Sequence, residues 1–172
     1  ATPTTVRGLK NRAVVVKLDL KDFFPTVTYQ RVRGLFIALG YGYPVAATLA
    51  ALMTESERQR VDLEGTLFHV PVGPRVCVQG APTSPGVCNA LVRKLDARLS
   101  GVAKSLGFTY SRYADDLAFS GDDAAKADAL IRRATRVIAS EGFVVNGEKT
   151  RVMRQGGAQR VAGVTVNRTL GL

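Results

Sequence analysis

Tyr113-Ala114-Asp115-Asp116 places two adjacent carboxylates between short apolar and aromatic segments. Residues 107–112 precede it and residues 117–120 follow it. This pattern predicts a β-hairpin with both acids at its tip. Adjacent anions repel each other, so a folded protein keeps such a pair chiefly to bind a cation or water.

A second apolar run, residues 13–18, ends at Asp19, the first acidic residue in the chain. The run is short and β-branched, which predicts a buried strand. If this strand lies beside the hairpin, Asp19, Asp115 and Asp116 converge at one sheet edge. Such a cluster suits a divalent metal and phosphoryl-transfer chemistry. Taken alone, however, an Asp-Asp pair is also common in ordinary turns.

Charge is distributed unevenly along the 172 residues, whose net charge is +10. No acid precedes Asp19 and none follows Glu148, so both ends are purely basic. The length suits one domain, and the balance favours an anionic partner such as nucleic acid. A basic, solvated surface without a site is the alternative.

The cysteines, Cys77 and Cys88, have no zinc-ligand spacing, and the single His69 adds none. Reduced, buried thiols are therefore expected. No apolar run has membrane-spanning length and no signal-peptide pattern is present, so a cytoplasmic protein with no membrane partner is predicted.

Helical spacing predicts helices over 25–39, 44–53, 84–102 and 122–141. A small hairpin is predicted over 61–67, with its turn at Glu64-Gly65, and short strands near 143–146, 150–154 and 160–166. Strands and helices do not alternate regularly. The prediction is an α+β fold with an antiparallel sheet, helices packed on one side and the carboxylates at the other.

Several segments, in chain order, resemble the palm motifs of reverse transcriptases, especially those of bacterial retrons and group II introns. They are the Asp-Leu-Lys-Asp-Phe-Phe of residues 19–24, the Gln-Gly-Ala-Pro-Thr-Ser-Pro of residues 79–85, residues 113–116, residues 142–150 and residues 160–167. The resemblance implies a right-hand polymerase palm with an RRM/ferredoxin-like core, partial fingers and no thumb. Residues 1–172 would then be one palm-centred domain, with 1–12 and about 40–76 as finger-side or peripheral elements.

The resemblance further implies an RNA-directed DNA polymerase that uses two Mg²⁺ ions, with Mn²⁺ as a substitute. Asp19 and Asp115 would ligate metal, with Asp116 close by and the carbonyl of Leu20 completing the nucleotide-side ion. Lys149 would protonate the leaving pyrophosphate.

Substrate contacts are implied in the same way. Phe24 would block a ribose 2′-hydroxyl, and the backbone N–H groups of Asp22 and Phe23 would reach the triphosphate. Phe23 alternatively fills the core. Gln79 and Gly80 would lie against the templating base pair. The implied partners are an RNA template, a DNA or RNA primer, dNTPs and a cognate structured non-coding RNA, and retron relatives imply a role in antiviral defence.

The chain also departs from the retron pattern. Val78 stands where retron enzymes usually carry proline, residues 161–163 read Val-Ala-Gly instead of Val-Thr-Gly, and no Asn-Ala-x-x-His segment occurs. The alternatives left open are a group II intron maturase-type reverse transcriptase and a non-catalytic palm module that binds nucleic acid or a partner protein.

Overall fold

The computed structural model describes residues 12–156, 159–161 and 164–165. Within them, the strands are β1 (Val14–Lys21), β2 (Glu55–Leu63), β3 (Thr66–Val76), β4 (Phe108–Tyr113), β5 (Asp116–Gly121), β6 (Val144–Val145), β7 (Arg151–Arg154), β8 (Arg160–Val161) and β9 (Val164–Thr165). The helices are α1 (Phe23–Thr26), α2 (Tyr29–Ala38), α3 (Tyr43–Met53), α4 (Ser84–Leu91), α5 (Arg93–Ser105) and α6 (Ala127–Ser140). Short 3₁₀ helices cover Ala124–Lys126 and Gly147–Lys149.

The chain divides into two compact units. The first comprises the residues up to Lys21 together with those from Arg93 onward, and the second runs from Asp22 to Val92. The prediction of a single palm-centred domain, with residues 40–76 peripheral, stays a prediction.

The first unit is built on an antiparallel sheet in which β1 is central. The strand order is β4-β5-β1, and both β6 and β7 pair with the other edge of β1. Helices α5 and α6 pack against each other and against the sheet. The apolar side chains of β1 are fully buried, which explains why its sequence is almost continuously apolar. The predicted α+β fold with an antiparallel sheet and packed helices is confirmed.

The second unit contains the helices α1–α4 and the long hairpin β2–β3. The predicted turn at Glu64-Gly65 is confirmed, with both residues at positive φ (55° and 82°). The hairpin itself is much longer than the predicted 61–67, because Glu55–Leu63 pairs with Thr66–Val76 along its length. The first half of β2 is charged and polar, so it carries no apolar alternation that could have revealed a strand.

The predicted helix boundaries were wrong in several places. The helix expected to begin at Pro25 begins at Tyr29, because Thr28 caps it by accepting the Arg31 N–H (3.5 Å). Leu39, the last residue of the predicted helix, lies just after the observed one and is 61% exposed. The helix expected over 84–102 divides at Val92, where ψ is 7°. Apolar spacing continues across this break, so spacing could not reveal it.

In the first unit, one predicted helix begins later than expected, and two predicted segments lie partly or wholly outside the described residues. The helix expected from Asp122 begins at Ala127, since the side chain of Asp123 caps a 3₁₀ turn before it. The predicted strand at 160–166 corresponds to the pair β8–β9, and residues 162–163 and 166 lie outside the described residues. The finger-side assignment of residues 1–11 also lies outside them.

The thiols of Cys77 and Cys88 are buried and reduced, as predicted. Over the described residues, none of the helices is both long and apolar enough to cross a membrane.

A substitution at Gly121 tests how tightly β5 packs against the outer strand β4. Gly121 lies opposite Phe108 in the β4–β5 ladder, and an added Cβ would lie 2.9 Å from the Phe108 ring. Since overpacking a buried position strains its neighbours, Gly121→Ala should lower the free energy of unfolding by about 1–3 kcal/mol. Urea denaturation measures this.

Gly101→Ala is the matched control, because Gly101 is exposed on α5 and an added Cβ there meets nothing within 4 Å. It should stabilise the protein by up to about 1 kcal/mol through helix propensity. A Gly121→Ala variant as stable as the wild type would contradict the packing described for this edge.

Candidate active site

Strands β4 and β5 form the predicted hairpin with the carboxylates at its tip. Tyr113 pairs with Asp116, so Ala114 and Asp115 form a two-residue turn. Ala114 has φ 51°, a left-handed conformation that costs a residue other than glycine about 1–2 kcal/mol. The turn therefore keeps a strained residue directly before the two acids.

The register between β1 and β5 brings the remote acid to the same place. Asp19 pairs directly with Asp116, and the Leu20 N–H donates to the Asp115 carbonyl at 3.0 Å. Directly opposite side chains share one face of the sheet at a separation of about 5 Å, where like charges are destabilising. Asp19 is only 4% exposed, so its charge needs compensation.

Two lysines compensate these carboxylates. The Lys149 Nζ lies 3.3 Å from both Asp19 oxygens, and the Lys17 Nζ lies 2.8 Å from Asp116 Oδ1. The Asn146 N–H donates to the Asp19 carbonyl at 2.8 Å, which holds the 3₁₀ turn carrying Lys149 beside the acid. The structure thus brings the predicted Lys149 to Asp19. Lys17 was not predicted, although its position two residues before Asp19 on the same strand face was a usable signal.

The donor set fits a hard divalent cation. Asp19 and Asp116 face each other, and Asp115 is joined to β1 through its backbone. Carboxylate oxygens are the ligands that Mg²⁺ prefers, and it completes its shell with waters. Across the described residues, no group of three or more His, Cys, Asp or Glu side chains is already gathered around one point. Two of the three carboxylates, Asp19 and Asp116, are instead paired with lysine ammonium groups. The metal-ligand roles, including that of the Leu20 carbonyl, stay predictions.

The aromatic and backbone candidates lie in the second unit. Asp22 precedes α1 at φ 48°, and its carbonyl accepts both the N–H and the hydroxyl of Thr26 (2.9 and 2.7 Å). Phe23 is buried, which supports its reading as a core residue, whereas Phe24 is half-buried. Their rings meet edge to face, with centroids 5.3 Å apart. Phe24 is therefore a partly accessible ring held against a fixed neighbour.

Gln79 and Gly80 are exposed in a tight turn of the second unit. The Ala81 N–H donates to the Val78 carbonyl at 3.3 Å, and Gly80 has φ 91°. A side chain at that φ would be strained, so the turn requires glycine. The predicted contacts of Asp22, Phe23, Phe24, Gln79 and Gly80 with substrate or template stay predictions.

Sequence reasoning missed a polar network behind the hairpin. Arg112 Nε and Nη2 donate to the two oxygens of Asp96, each at 2.8 Å, and its Nη1 donates to the Ala114 carbonyl at 3.0 Å. The Tyr110 hydroxyl donates to Asp96 Oδ1 at 2.8 Å. Asp96 lies on α5, and no motif links it to β4.

The network is largely shielded from water. Burial by itself disfavours the charge on Arg112, but the hydrogen bonds and charge of Asp96 outweigh it and raise the pKa of Arg112 above its usual value. Burial, with the charge of Asp96, also raises the pKa of Tyr110. Both groups, Tyr110 and Arg112, therefore keep their protons at any physiological pH.

Comparison with known proteins agrees with the motifs. The family described as reverse transcriptase (RNA-dependent DNA polymerase) matches residues 3–166. The Retron Mx65 reverse transcriptase of Myxococcus xanthus is 71% identical over 161 residues, which cover 94% of this chain and 38% of that protein. The Retron Mx162 reverse transcriptase of the same organism is 51% identical over 164 residues, covering 90% of this chain and 34% of that protein. The chain thus spans well under half the length of these relatives.

Solved structures show the same fold at low sequence identity. Telomerase from Candida albicans, in complex with a fragment of telomeric RNA, has a TM-score of 0.67 at 15% identity, covering 96% of this chain and 35% of that one. Apo telomerase from Candida tropicalis has a TM-score of 0.60 at 14% identity, covering 92% of this chain and 34% of that one. These likenesses concern the fold alone, and they support the polymerase palm-like architecture.

Lys17 tests whether ammonium groups stand in for a cation at the carboxylates. Lys17→Gln should lower the free energy of unfolding by up to about 1 kcal/mol without Mg²⁺, because Asp116 loses its partner. Added Mg²⁺ should raise the melting temperature more in this variant than in the wild type, since the ion no longer competes with the lysine.

Lys94→Gln is the control, because Lys94 on α5 pairs with Glu141, the residue that follows α6. Its melting temperature should respond to Mg²⁺ as the wild type does. Equal Mg²⁺ responses in all three proteins would contradict a cation site at Asp116.

Proposed function

The chain belongs to the reverse transcriptase (RNA-dependent DNA polymerase) family, and on that premise we propose that it forms the catalytic palm of a retron-type RNA-directed DNA polymerase. The reaction would join a dNTP to a primer 3′-hydroxyl on an RNA template. The observation that carries the proposal is the register that sets Asp19 opposite Asp116 and ties the Asp115 carbonyl to Leu20.

Nucleotide transfer needs positioning and charge stabilisation more than covalent help from the protein. Bound Mg²⁺ would make the 3′-hydroxyl more acidic and neutralise charge on the reacting phosphate. Asp19, Asp115 and Asp116 would hold it, with the Leu20 carbonyl as a neutral ligand, and Mn²⁺ would be a substitute.

Lys149 is suited to the leaving group. Its side chain is 62% exposed and its stem is flexible, so its ammonium can leave Asp19 and reach a pyrophosphate. Lys149 would act as a general acid by donating a proton from Nζ to an oxygen of the leaving pyrophosphate.

Other residues of the matched motifs would select and orient the nucleotide. The Phe24 ring would exclude a ribose 2′-hydroxyl, and the Asp22 and Phe23 backbone N–H groups would bind the triphosphate. Gln79 and Gly80 would contact the templating pair, since the glycine lets the backbone approach closely. The accessible Phe24 ring and the exposed turn at Gly80 support these assignments.

Relatives named as retron enzymes favour the retron branch over a group II intron maturase. The net charge of +10 favours an RNA template and a DNA or RNA primer as partners. A cognate structured non-coding RNA, a cytoplasmic location and a role in antiviral defence belong to the same proposal. A non-catalytic palm is disfavoured because Asp19, Asp115, Asp116 and Lys149 are all present.

Asp115→Asn tests the chemistry. In the protein at its natural length, it should reduce dNTP incorporation on a primed RNA template at least about a hundredfold, because a charged ligand becomes a neutral one. Asp128→Asn is the control, since Asp128 is an exposed carboxylate on α6, and it should keep full activity. Full incorporation by Asp115→Asn would refute the catalytic assignment.

Phe24→Ala tests sugar selection. Removing the ring should reduce discrimination between dNTP and rNTP roughly 10- to 100-fold, measured as the ratio of kcat/KM values. Phe24→Tyr keeps the planar bulk and should keep the discrimination. An unchanged ratio in Phe24→Ala would remove Phe24 from this role.

A further inference from the structure

We propose that Asp96 and Arg112 are positioning residues that hold the turn carrying Asp115 in its catalytic place. Neither belongs to the motifs that identified the site. Arg112 reaches the turn directly through its bond to the Ala114 carbonyl, and Asp96 acts by fixing the guanidinium. The activity measurement that tests this role rests on the proposed polymerase function, whereas the hydrogen-exchange measurement does not.

The network acts on the side of the sheet away from the acids. Arg112 pairs with Leu117 and Tyr110 pairs with Phe119 across the β4–β5 ladder, and both reach Asp96 on α5. Side chains alternate between faces along a strand, so Asp116 lies on the opposite face from Leu117. The guanidinium can therefore fix the turn from behind without pairing with the acids that would bind metal.

Consecutive carbonyls of the turn are anchored from two directions. The Ala114 carbonyl accepts from Arg112 at 3.0 Å, and the Asp115 carbonyl accepts from the Leu20 N–H at 3.0 Å. One anchor leads to helix α5 and the other to strand β1. A turn with a left-handed alanine needs such support, because strained conformations persist only where their surroundings fix them.

The chemistry of Arg112 suits this task. Its side chain is 8% exposed, and its planar fork makes a bidentate pair with Asp96 while a third nitrogen reaches Ala114. Lysine has a single ammonium and cannot make this set of bonds with fixed geometry. Asp96 stands in the first turn of α5, where the helix dipole favours a negative charge.

The test uses a double variant, Asp96→Asn with Arg112→Met, in the protein at its natural length. Methionine fills much of the volume of the arginine stem, and asparagine keeps an oxygen for the Tyr110 hydroxyl. Removing both charges together avoids a lone buried ion, so the fold should be retained. Arg112→Lys is the second variant, because it keeps the charge beside Asp96 and loses the fork.

Arg98→Gln is the matched control. Arg98 lies on the same helix and pairs with Glu141 at 2.6 Å, away from the turn. It removes an ion pair of α5 without touching the network, so it reports what a general loss of helix packing does.

The first readout is steady-state incorporation. In the double variant and in Arg112→Lys, kcat should fall roughly 10- to 100-fold, the effect of displacing a catalytic group by about 1 Å. KM for dNTP should change less than about threefold, because the nucleotide contacts are untouched. Equal kcat values in wild type, variants and control would overturn the proposal, as would a loss in Arg98→Gln of the same size.

The second readout needs no activity. The Leu20 N–H donates to the Asp115 carbonyl, so its hydrogen exchange measures how firmly the turn is held. Relative to global unfolding, this exchange should accelerate at least about tenfold in the double variant and should not change in Arg98→Gln. Unchanged Leu20 exchange would overturn the positioning role. A wild type that incorporates no nucleotide would instead refute the proposed function, and Leu20 exchange would still decide the role of the network.

Discussion

The pairing register of β1 with β5 is the constraint on which the site depends. It places Asp19 opposite Asp116 and brings the Leu20 N–H to the Asp115 carbonyl. A slip of one residue would move Asp19 to the other face of the sheet and bury a different set of side chains. The fully buried Val14, Val16 and Leu18 prevent that slip, because they would lose their place among the packed apolar groups. Core packing thereby fixes the separation of acids that lie almost a hundred residues apart in the sequence.

This register also creates an electrostatic cost. It places like charges opposite each other at a poorly solvated end of the sheet. Lys17 and Lys149 compensate these charges by pairing with Asp116 and Asp19. Lys17 comes from β1 itself, whereas Lys149 comes from a 3₁₀ turn tied to β1 through Asn146. The central strand therefore positions an acid, one of the compensating cations and the anchor for the other. The buried strand β1 therefore positions most of the charged groups at this end of the sheet.

Sequence patterns predicted the parts of the structure that are local. The hairpin tip at Asp115-Asp116, the buried strand before Asp19 and the turn at Glu64-Gly65 all follow from short runs with strong turn or strand signals. The charged half of β2 and the break at Val92 were missed, because long-range pairing and local backbone geometry decided them against the apolar spacing. Asp96 had no signal at all. Its partner Arg112 is sixteen residues away on another element, and only packing of α5 on β4 brings them together.

The two faces of the sheet use different kinds of positive charge. On the face of Asp19 and Asp116, lysines supply compact charges on flexible stems, a kind of partner that a cation bound at these acids would be able to displace. On the helix side, Arg112 supplies a rigid, buried fork with its bonds already made. Exchanging these roles would harm both, because an arginine fork at the acids would resist displacement and a lysine behind the turn would not fix the Ala114 carbonyl. The strained turn is thus held by a rigid arginine, while flexible lysines pair with the nearby acids Asp19 and Asp116.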